Sequence, residues 1–256
     1  MSRYPLVLLS HGANGSAQSM MWLGYRLAAA GYLAAAVDHL GPDNCEPQLA
    51  GVFYLSDWHM WERPRDLSVV LDRLLDDELL GPRIDRQRLG AAGFSAGGAS
   101  VISLVGGRLD LQKLQAGSEP PEPLRPAVSR AITEWQRLQA ANPTVRESLQ
   151  RTDCPCQDDR IRCAFALAPA LGAGFPGAGL SAVTAPVCLV AGRDDPVTPL
   201  AANAQHFADQ IQGAELTVLP GETGHWSSDP GAAVRALELE QVSRIALGFF
   251  ARHLAG

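Results

Sequence analysis

The stretch Gly93-Phe94-Ser95-Ala96-Gly97-Gly98 places a serine between glycines, after one apolar run and before another. This G-x-S-x-G pattern is typical of a nucleophile elbow, a sharp turn from a strand into a helix that raises a serine hydroxyl above a sheet. Glycines are needed because the backbone segments of the turn approach each other closely. Residues 88–92 fit a short buried strand, and 99–105 fit a buried helix. We therefore predict that Ser95 is a nucleophile, and not an idle serine in a glycine-rich loop.

Composition and charge exclude several classes of protein. The chain has 256 residues, of which 46% are hydrophobic, which fits one large domain or two small ones with a sizeable core. Its formal net charge of −6 argues against nucleic acid as a partner, because nucleic-acid binding needs a basic surface. No window approaches about 18 uninterrupted apolar residues, so we expect no membrane span.

The N-terminal segment bears on where the protein is found. The apolar run 6–9 is too short for the core of a signal peptide, and it leads directly into His11-Gly12. This predicts a cytoplasmic protein, or a periplasmic or secreted one whose leader has been removed.

The five cysteines leave the compartment open. Cys163 and Cys188 lie in apolar strand runs, where we expect buried and inert thiols. Cys45 and one of Cys154 or Cys156 lie in loops, where a disulfide fits an exported protein.

Strand and helix patterns alternate along the chain, which predicts an α/β fold with a mostly parallel sheet. The predicted strands are 5–10, 32–37, 88–92, 161–168, 186–191 and 215–219. The clearest helix covers 65–80, where apolar residues repeat at helical spacing before Gly81-Pro82 ends the pattern. Further helices are predicted at 20–30, 198–211 and 232–254.

The pattern changes between residues 107 and 160. A Pro-rich stretch at 117–126 indicates a stiff linker, and an apolar stripe with helical spacing follows it. Asn142-Pro143 has the form of a helix start, with an N-cap followed by proline at the first helical position. We predict a single domain over 1–256 with 107–160 inserted as a helical cap or lid. The alternative is a surface excursion without a role.

A serine nucleophile needs a base, and the base needs an orienting acid. Asp194 and Asp195 follow the predicted strand 186–191, and His225 follows the last predicted strand. The carboxyl ends of parallel strands share one edge of a sheet, where Ser95 is also expected. His225 is the predicted base, and either aspartate fits as its acid. The remaining histidines fit less well by position: His11, His39, His59, His206 and His253.

Four motifs together resemble the α/β-hydrolase superfamily. They are Ser10-His11-Gly12-Ala13-Asn14-Gly15, the elbow at 93–98, the stretch 191–199 and Gly224-His225. More narrowly, they are similar to serine-type relatives of dienelactone hydrolase and to the platelet-activating-factor acetylhydrolase group. The segment 22–32 also resembles bacterial cutinase-like polyester hydrolases. The likeness covers nearly the whole chain except the insertion.

The resemblance implies specific roles for residues of this chain. The family pattern G-x-x-D-x-x-x-P falls on Gly192, Asp195 and Pro199, which favours Asp195 over Asp194. The His-Gly loop implies an oxyanion hole made by the backbone N–H groups of Ala13 and Ala96. Two strands usually precede that loop in the superfamily, whereas about one fits here. We therefore expect an α/β-hydrolase fold with about six strands and a reduced N-terminal edge, the alternative being that further N-terminal strands precede this sequence.

The nucleophile narrows the expected chemistry. Dienelactone hydrolase itself uses cysteine, whereas this chain has Ser95, so hydrolysis of an ordinary carboxylic ester fits better. The expected substrate is a small-molecule ester of small or medium acyl length, cleaved through an acyl-enzyme, and no metal or organic cofactor is implied. The alternatives are a polyester hydrolase, a lipid acetylhydrolase and a catalytically silent binding module. The oligomeric state stays open.

Aromatic and charged residues near the predicted rim complete the expectations. Trp58, Trp61 and Trp226 are candidates for a substrate pocket, with core anchoring as the alternative. Arg63, Arg65 and Asp66 lie at the start of the predicted helix 65–80, and we expect them to brace that helix, with substrate binding as the alternative.

Overall fold

The fold is seen in a computed structural model. It describes residues 2–13, 15–39, 60–116, 133, 137, 140–141, 143–152, 154–220, 225 and 232–255. The strands are β1 (Tyr4–Ser10), β2 (Leu33–Val37), β3 (Ile84–Phe94), β4 (Ile161–Leu167), β5 (Val187–Gly192) and β6 (Glu215–Leu219). The helices are α1 (Met21–Ala29), α2 (Arg63–Asp76), α3 (Ala96–Leu104), α4 (Leu111–Ala116), α5 (Pro143–Leu149), α6 (Gly177–Leu180), α7 (Ala204–Gln210) and α8 (Ala232–His253).

These strands form one sheet in the order β2-β1-β3-β4-β5-β6, and every neighbouring pair is parallel. All carboxyl ends therefore lie at the same edge of the sheet. The predicted α/β-hydrolase fold with a six-stranded, mostly parallel sheet flanked by helices is confirmed. Among the described residues, one strand, β1, precedes the His-Gly loop.

Helices cover both faces of the sheet, each with its own apolar core. On one face, α2 and α3 pack through buried leucine, valine and isoleucine side chains. On the other face, α1 contributes Leu23 and Leu27, and α8 contributes Phe249 and Phe250. A Cβ on Gly90 would lie 3.0 Å from the Phe250 ring, so a small residue in β3 lets α8 sit close to the sheet. Burial on both faces explains the continuous apolar sequence of the central strands.

The two strand cysteines are buried, as predicted. Cys163 in β4 and Cys188 in β5 have no solvent-exposed surface. Burial raises the pKa of each thiol to about 12, so both stay protonated at neutral pH. Cys154 and Cys156 are free thiols, and Cys45 lies outside the described residues, so its pairing stays a prediction.

Several element boundaries differ from the sequence prediction; the predicted helix 198–211 is a short 3-10 turn at Leu200–Ala202 followed by α7. Helix α2 ends at Asp76, four residues before the predicted end at Leu80. The carboxylate of Asp77 accepts hydrogen bonds from the amides of Leu79 and Leu80, which turns the chain before Gly81. Strand β3 begins at Ile84, four residues before the predicted start at 88. The prediction rested on an apolar run, and the first residues of this strand are mostly polar.

The end of the 107–160 insertion packs against the start of α2. Helix α5 covers Pro143–Leu149, and its predicted N-cap, Asn142, lies outside the described residues. Ser148 accepts a hydrogen bond from the Trp61 indole and donates one to Glu62. Arg65 donates to the carbonyl of Arg151, further along the same segment. Residues 117–132 lie outside the described ranges, and the role of the insertion as a lid stays a prediction. None of the helices within the described ranges has the length and apolar content of a membrane span.

Candidate active site

Ser95 sits at the junction of β3 and α3 with a backbone conformation that serine rarely adopts. Its φ is 53° and its ψ is −117°, which costs free energy in a residue with a Cβ. The neighbouring chain holds this conformation: the Ser95 amide donates to the Leu167 carbonyl at 2.9 Å. The Ser95 carbonyl accepts from the Ala170 amide at 3.0 Å. The turn therefore fixes the direction of the hydroxyl before any ligand is bound.

The glycines of the elbow are required by close contact. A Cβ on Gly93 would overlap with the carbonyl oxygen of Gly97, and a Cβ on Gly97 would overlap with the carbonyl oxygen of Ser10. The first contact closes the turn itself, and the second packs the start of α3 against the end of β1. The sequence prediction that these glycines permit close backbone approach is confirmed.

His225 and Asp195 continue from Ser95 in one hydrogen-bonded chain. The Nε2 atom of His225 lies 3.0 Å from the Ser95 hydroxyl, and its Nδ1 atom lies 2.9 Å from Oδ2 of Asp195. A proton on Nδ1 donates to the carboxylate and leaves Nε2 free to accept from serine. The ring of Phe94 lies beside the imidazole, with centroids 4.9 Å apart. The neighbouring Asp194 is exposed, so Asp195 is the aspartate that the structure brings to His225.

Asp195 is held by more than the histidine. Its Oδ1 accepts hydrogen bonds from the amides of Val197 and Thr198, and its Oδ2 accepts one from the Thr198 hydroxyl at 2.8 Å. Burial raises the pKa of Asp195, but the hydrogen bonds from His225 and Thr198 outweigh burial and hold the pKa at about 2. Sequence reasoning missed Thr198; the signal was its position three residues after an aspartate, where a turn or cap bond forms.

The two candidate oxyanion donors belong to two different segments of the chain. Ala96 is the first residue of α3 and directly follows Ser95. Ala13 lies in the loop after β1, where it is exposed. A Cβ on Gly12 would lie 3.2 Å from the Ser95 Cβ, so the His-Gly loop passes directly beside the elbow. Among the described residues, neither amide donates to a backbone carbonyl.

A second set of polar side chains lies beneath the His-Gly loop. The Ser10 hydroxyl bonds to Nε2 of His39 at 2.8 Å, and Nδ1 of His39 bonds to Asp66 at 2.8 Å. Arg63 donates to the carbonyl oxygen of His11. Arg63 and Asp66 thus tie the start of α2 to β1 and to the end of β2, which goes beyond the helix bracing that the sequence predicted.

The tryptophans proposed for a pocket have different outcomes. Trp58 and Trp226 lie outside the described residues. Trp61 is buried, and its indole N–H donates to Ser148, so the structure gives it a packing role. A place for any of the three in a substrate pocket stays a prediction. In the part of the chain that the structure describes, no three histidine, cysteine or acidic side chains are grouped to hold a metal ion.

The fold is that of an α/β-hydrolase. This follows from the sheet order and the elbow, and the Ser95–His225–Asp195 chain fits it. Among solved structures, the chain is similar to a dienelactone hydrolase from Anabaena variabilis ATCC 29413, with a TM-score of 0.61 and 18% sequence identity. The match covers 98% of this chain and 87% of that one. The predicted likeness to dienelactone hydrolase is confirmed at the level of the fold.

Part of the sequence is also similar to cutinases. Cutinase est2 from Thermobifida alba is 31% identical over 111 residues, which cover 43% of this chain and 32% of that protein. Cutinase 2 from Thermobifida cellulosilytica is 30% identical over 111 residues, 37% of its length. The matched segment thus spans about a third of these curated relatives. No family model matches the chain. The likeness to cutinases is confirmed over this segment, and that to the platelet-activating-factor acetylhydrolase group stays a prediction.

Proposed function

We propose that this protein is a serine hydrolase that cleaves the carboxylic ester bonds of small or medium acyl esters. The observation that carries the proposal is the continuous hydrogen-bonded chain from the Ser95 hydroxyl through His225 to Asp195. It lies at the carboxyl edge of the sheet, near the start of α3 at Ala96 and the His-Gly loop that contains Ala13, whose amides we assign to the oxyanion. This combination supplies a nucleophile, a base, an orienting acid and an oxyanion site, the four parts that acyl transfer needs.

In the first half of the reaction, the Ser95 oxygen attacks the ester carbonyl carbon while its proton passes to Nε2 of His225. The carbonyl oxygen becomes an oxyanion and accepts hydrogen bonds from the amides of Ala13 and Ala96. Each such donor contributes about 3 kcal/mol to the transition state. Collapse of the tetrahedral intermediate breaks the bond to the alcohol, which takes the proton from His225 and leaves an acyl-serine.

In the second half, water attacks the acyl-serine. His225 accepts a proton from that water and then returns it to the Ser95 oxygen as the acid leaves. Asp195 stays ionised throughout, since its hydrogen bonds hold its pKa at about 2. Its negative charge stabilises the imidazolium that forms twice in each cycle.

The proposal is tested by hydrolysis of p-nitrophenyl acetate, butyrate and octanoate. Ser95→Ala should lower kcat by up to about a millionfold, because it removes the nucleophile. Ser181→Ala is the matched control, since Ser181 is exposed and bonds only to its own helix among the described contacts. A fluorophosphonate probe should label the wild type and the control but not Ser95→Ala. Equal rates in the wild type and Ser95→Ala would overturn the proposal in favour of a silent binding module.

A second candidate is hydrolysis of a polyester, which the sequence matches to cutinases favour. The chemistry at Ser95 would be the same, and the difference would lie in how the site meets an insoluble surface. Release of acid from a polycaprolactone film, compared with soluble p-nitrophenyl butyrate, separates the two. A film rate comparable with the soluble rate supports the polyester, and a soluble rate alone supports the small ester.

A further inference from the structure

The polar residues beneath the His-Gly loop are buried where polar groups are rarely tolerated without partners. Ser10 and His11 have no exposed surface, and Arg63 is 5% exposed. Burying such groups is unfavourable unless each finds a hydrogen bond. The proposed reaction uses none of their side chains directly, so their place beside the candidate oxyanion loop calls for another explanation.

The two closest described contacts of the His11 ring nitrogens fit one proton arrangement. Its Nδ1 atom lies 2.6 Å from the carbonyl oxygen of Gly12, and a carbonyl can only accept, so Nδ1 carries the proton. Its Nε2 atom lies 3.3 Å from the backbone N–H of His39, which can only donate, so Nε2 is unprotonated. Arg63 lies 3.5 Å from Nδ1 and makes its closer contact to the His11 carbonyl.

The Gly12 carbonyl belongs to the same peptide unit as the Ala13 N–H. In a trans peptide the C=O and N–H bonds point in opposite directions within one plane. A hydrogen bond that holds the Gly12 oxygen on the protein side therefore holds the Ala13 N–H toward the opposite side. The amide of Gly15 adds a second, longer bond to the Gly12 oxygen at 3.3 Å.

We propose that His11 is a positioning residue of the oxyanion hole, which aims the Ala13 N–H by holding the Gly12 carbonyl through its Nδ1 proton. The inference rests on the proposed function, because it assigns the Ala13 amide to the oxyanion of that reaction. Arg63 fixes the preceding peptide through the His11 carbonyl. Hydrogen bonds to Ser10 and Asp66 hold the ring of His39 in place. The backbone N–H of His39 in turn donates to Nε2 of His11.

Two amide substitutions separate the two ring nitrogens of His11. Asparagine carries its amide nitrogen on Cγ, near the place of Nδ1, so His11→Asn can still donate to the Gly12 carbonyl. The glutamine amide lies one atom further out, near the place of Nε2. His11→Gln therefore keeps an acceptor for the backbone N–H of His39 but loses the donor to the Gly12 carbonyl. The control is His206→Asn, since His206 also bonds a backbone carbonyl, that of Phe175, but lies in α7 away from the elbow.

We expect His11→Gln to lower kcat on p-nitrophenyl butyrate by about 100-fold, the loss typical of one oxyanion donor. KM should stay within about threefold, because the ester carbonyl gains charge only in the transition state. His11→Asn should keep kcat within about tenfold of the wild type, and His206→Asn should leave it unchanged. A trifluoromethyl ketone, which forms a charged adduct with the serine, should bind His11→Gln about 100-fold more weakly.

The outcomes separate this inference from the proposed function. Ester hydrolysis that depends on Ser95, with equal kcat in His11→Asn and His11→Gln, overturns the inference and leaves the proposed function intact. Hydrolysis that does not depend on Ser95 overturns both. Should His11→Gln fail to fold, ¹⁵N NMR of the wild-type histidine rings decides: a proton on Nδ1 of His11 supports the inference, and a proton on Nε2 overturns it.

Discussion

Two hydrogen-bonded chains of serine, histidine and aspartate occur in the described part of this molecule. In one, Ser95, His225 and Asp195 are joined by bonds of 3.0 and 2.9 Å. In the other, Ser10, His39 and Asp66 are joined by two bonds of 2.8 Å. Both use Nε2 toward the serine and Nδ1 toward the carboxylate. By connectivity and distance alone, the two chains are equivalent.

The two chains differ in which side chain, the histidine or the aspartate, is the more exposed. In the chain of His225, the aspartate side chain is fully buried and the histidine side chain is 10% exposed. In the chain of His39, the histidine side chain is 2% exposed and Asp66 is 28% exposed. The serine differs as well: Ser95 lies at the start of a helix with a positive φ, whereas Ser10 ends a regular strand and is fully buried.

The difference teaches that a hydrogen-bond chain does not by itself make a nucleophile. A reactive serine must meet a substrate carbonyl and have N–H donors beside it for the oxyanion. Ser95 has the amide of its own helix start, while the hydroxyl of Ser10 is enclosed and serves as a partner for His39. The same three residue types therefore form a candidate reaction centre at one place and a structural support at another.

The largest expected effect that separates the two chains comes from the aspartates. Asp195→Asn should lower kcat by about 10⁴-fold, because an amide in place of the carboxylate favours the wrong imidazole tautomer and removes the charge that stabilises the imidazolium. Asp66→Asn should lower kcat by no more than about tenfold, because Asp66 belongs to the hydrogen-bonded chain of Ser10 and bonds to no group of the proposed reaction. Steady-state hydrolysis of p-nitrophenyl butyrate measures both.

Asp194→Asn is the matched control for that pair. Asp194 is exposed and adjacent in sequence, so the loss of its charge should leave kcat within about twofold. An equal loss in Asp195→Asn and Asp66→Asn would remove the distinction between the two chains. A large loss in Asp194→Asn would instead show that the loop tolerates no substitution.

A smaller effect is expected where the two chains approach each other, at Gly97. A Cβ there would overlap with the Ser10 carbonyl oxygen, so Gly97→Ala must move either α3 or the end of β1. We expect it to lower the free energy of unfolding by about 3 kcal/mol or more, as for other backbone clashes in a packed core.

Gly248→Ala in α8 is the control. Its Cβ would meet nothing closer than 3.9 Å, so it should raise the free energy of unfolding by about 0.5–1 kcal/mol. Urea unfolding measures both, and a neutral Gly97→Ala would contradict the close packing of the two chains.

The chain of Ser95 was predictable from sequence because its signals are local. The elbow needs glycines within a few residues of the serine, and Asp195 and His225 each follow a strand that apolar runs reveal. The choice of Asp195 over Asp194 rested on the family pattern G-x-x-D-x-x-x-P, which the resemblance supplied. Thr198 was missed, because a hydroxyl three residues after an aspartate is common in turns without any link to a reaction.

The chain of Ser10 was not predictable in the same way. Its members come from β1, from the end of β2 and from α2, and no spacing in the sequence marks a bond between them. Their meeting depends on the sheet order, which places β1 between β2 and β3. The early end of α2 was missed for a related reason: the apolar pattern continues through Leu79 and Leu80, and only the bonds to Asp77 break it.

The smallest expected effect uses pH to separate the two chains. Burial lowers the pKa of His39, and Arg63 lowers it further, although the hydrogen bond to Asp66 opposes both. The folded state then binds fewer protons than the unfolded state, where the pKa is about 6.5. Stability contributed by neutral His39 is therefore complete above about pH 6.5 and is lost as the pH falls through the folded pKa. For Asp195, with a folded pKa of about 2, the loss begins only below about pH 4.

The interval between pH 6.5 and 5 thus reports on the chain of His39 and not on that of Asp195. The measurement is the free energy of unfolding in urea for the wild type and His39→Gln at pH 8, 7, 6 and 5. The difference between the two free energies of unfolding at each pH removes the contribution of ionisable groups that both proteins share. The charged groups that face His39 are Arg63, Asp66 and Asp38, and all remain in the variant. We expect the advantage of the wild type to shrink toward pH 5. An advantage that does not change with pH would mean that folded His39 accepts a proton as readily as an unfolded chain does, so that burial and Arg63 do not hold it neutral.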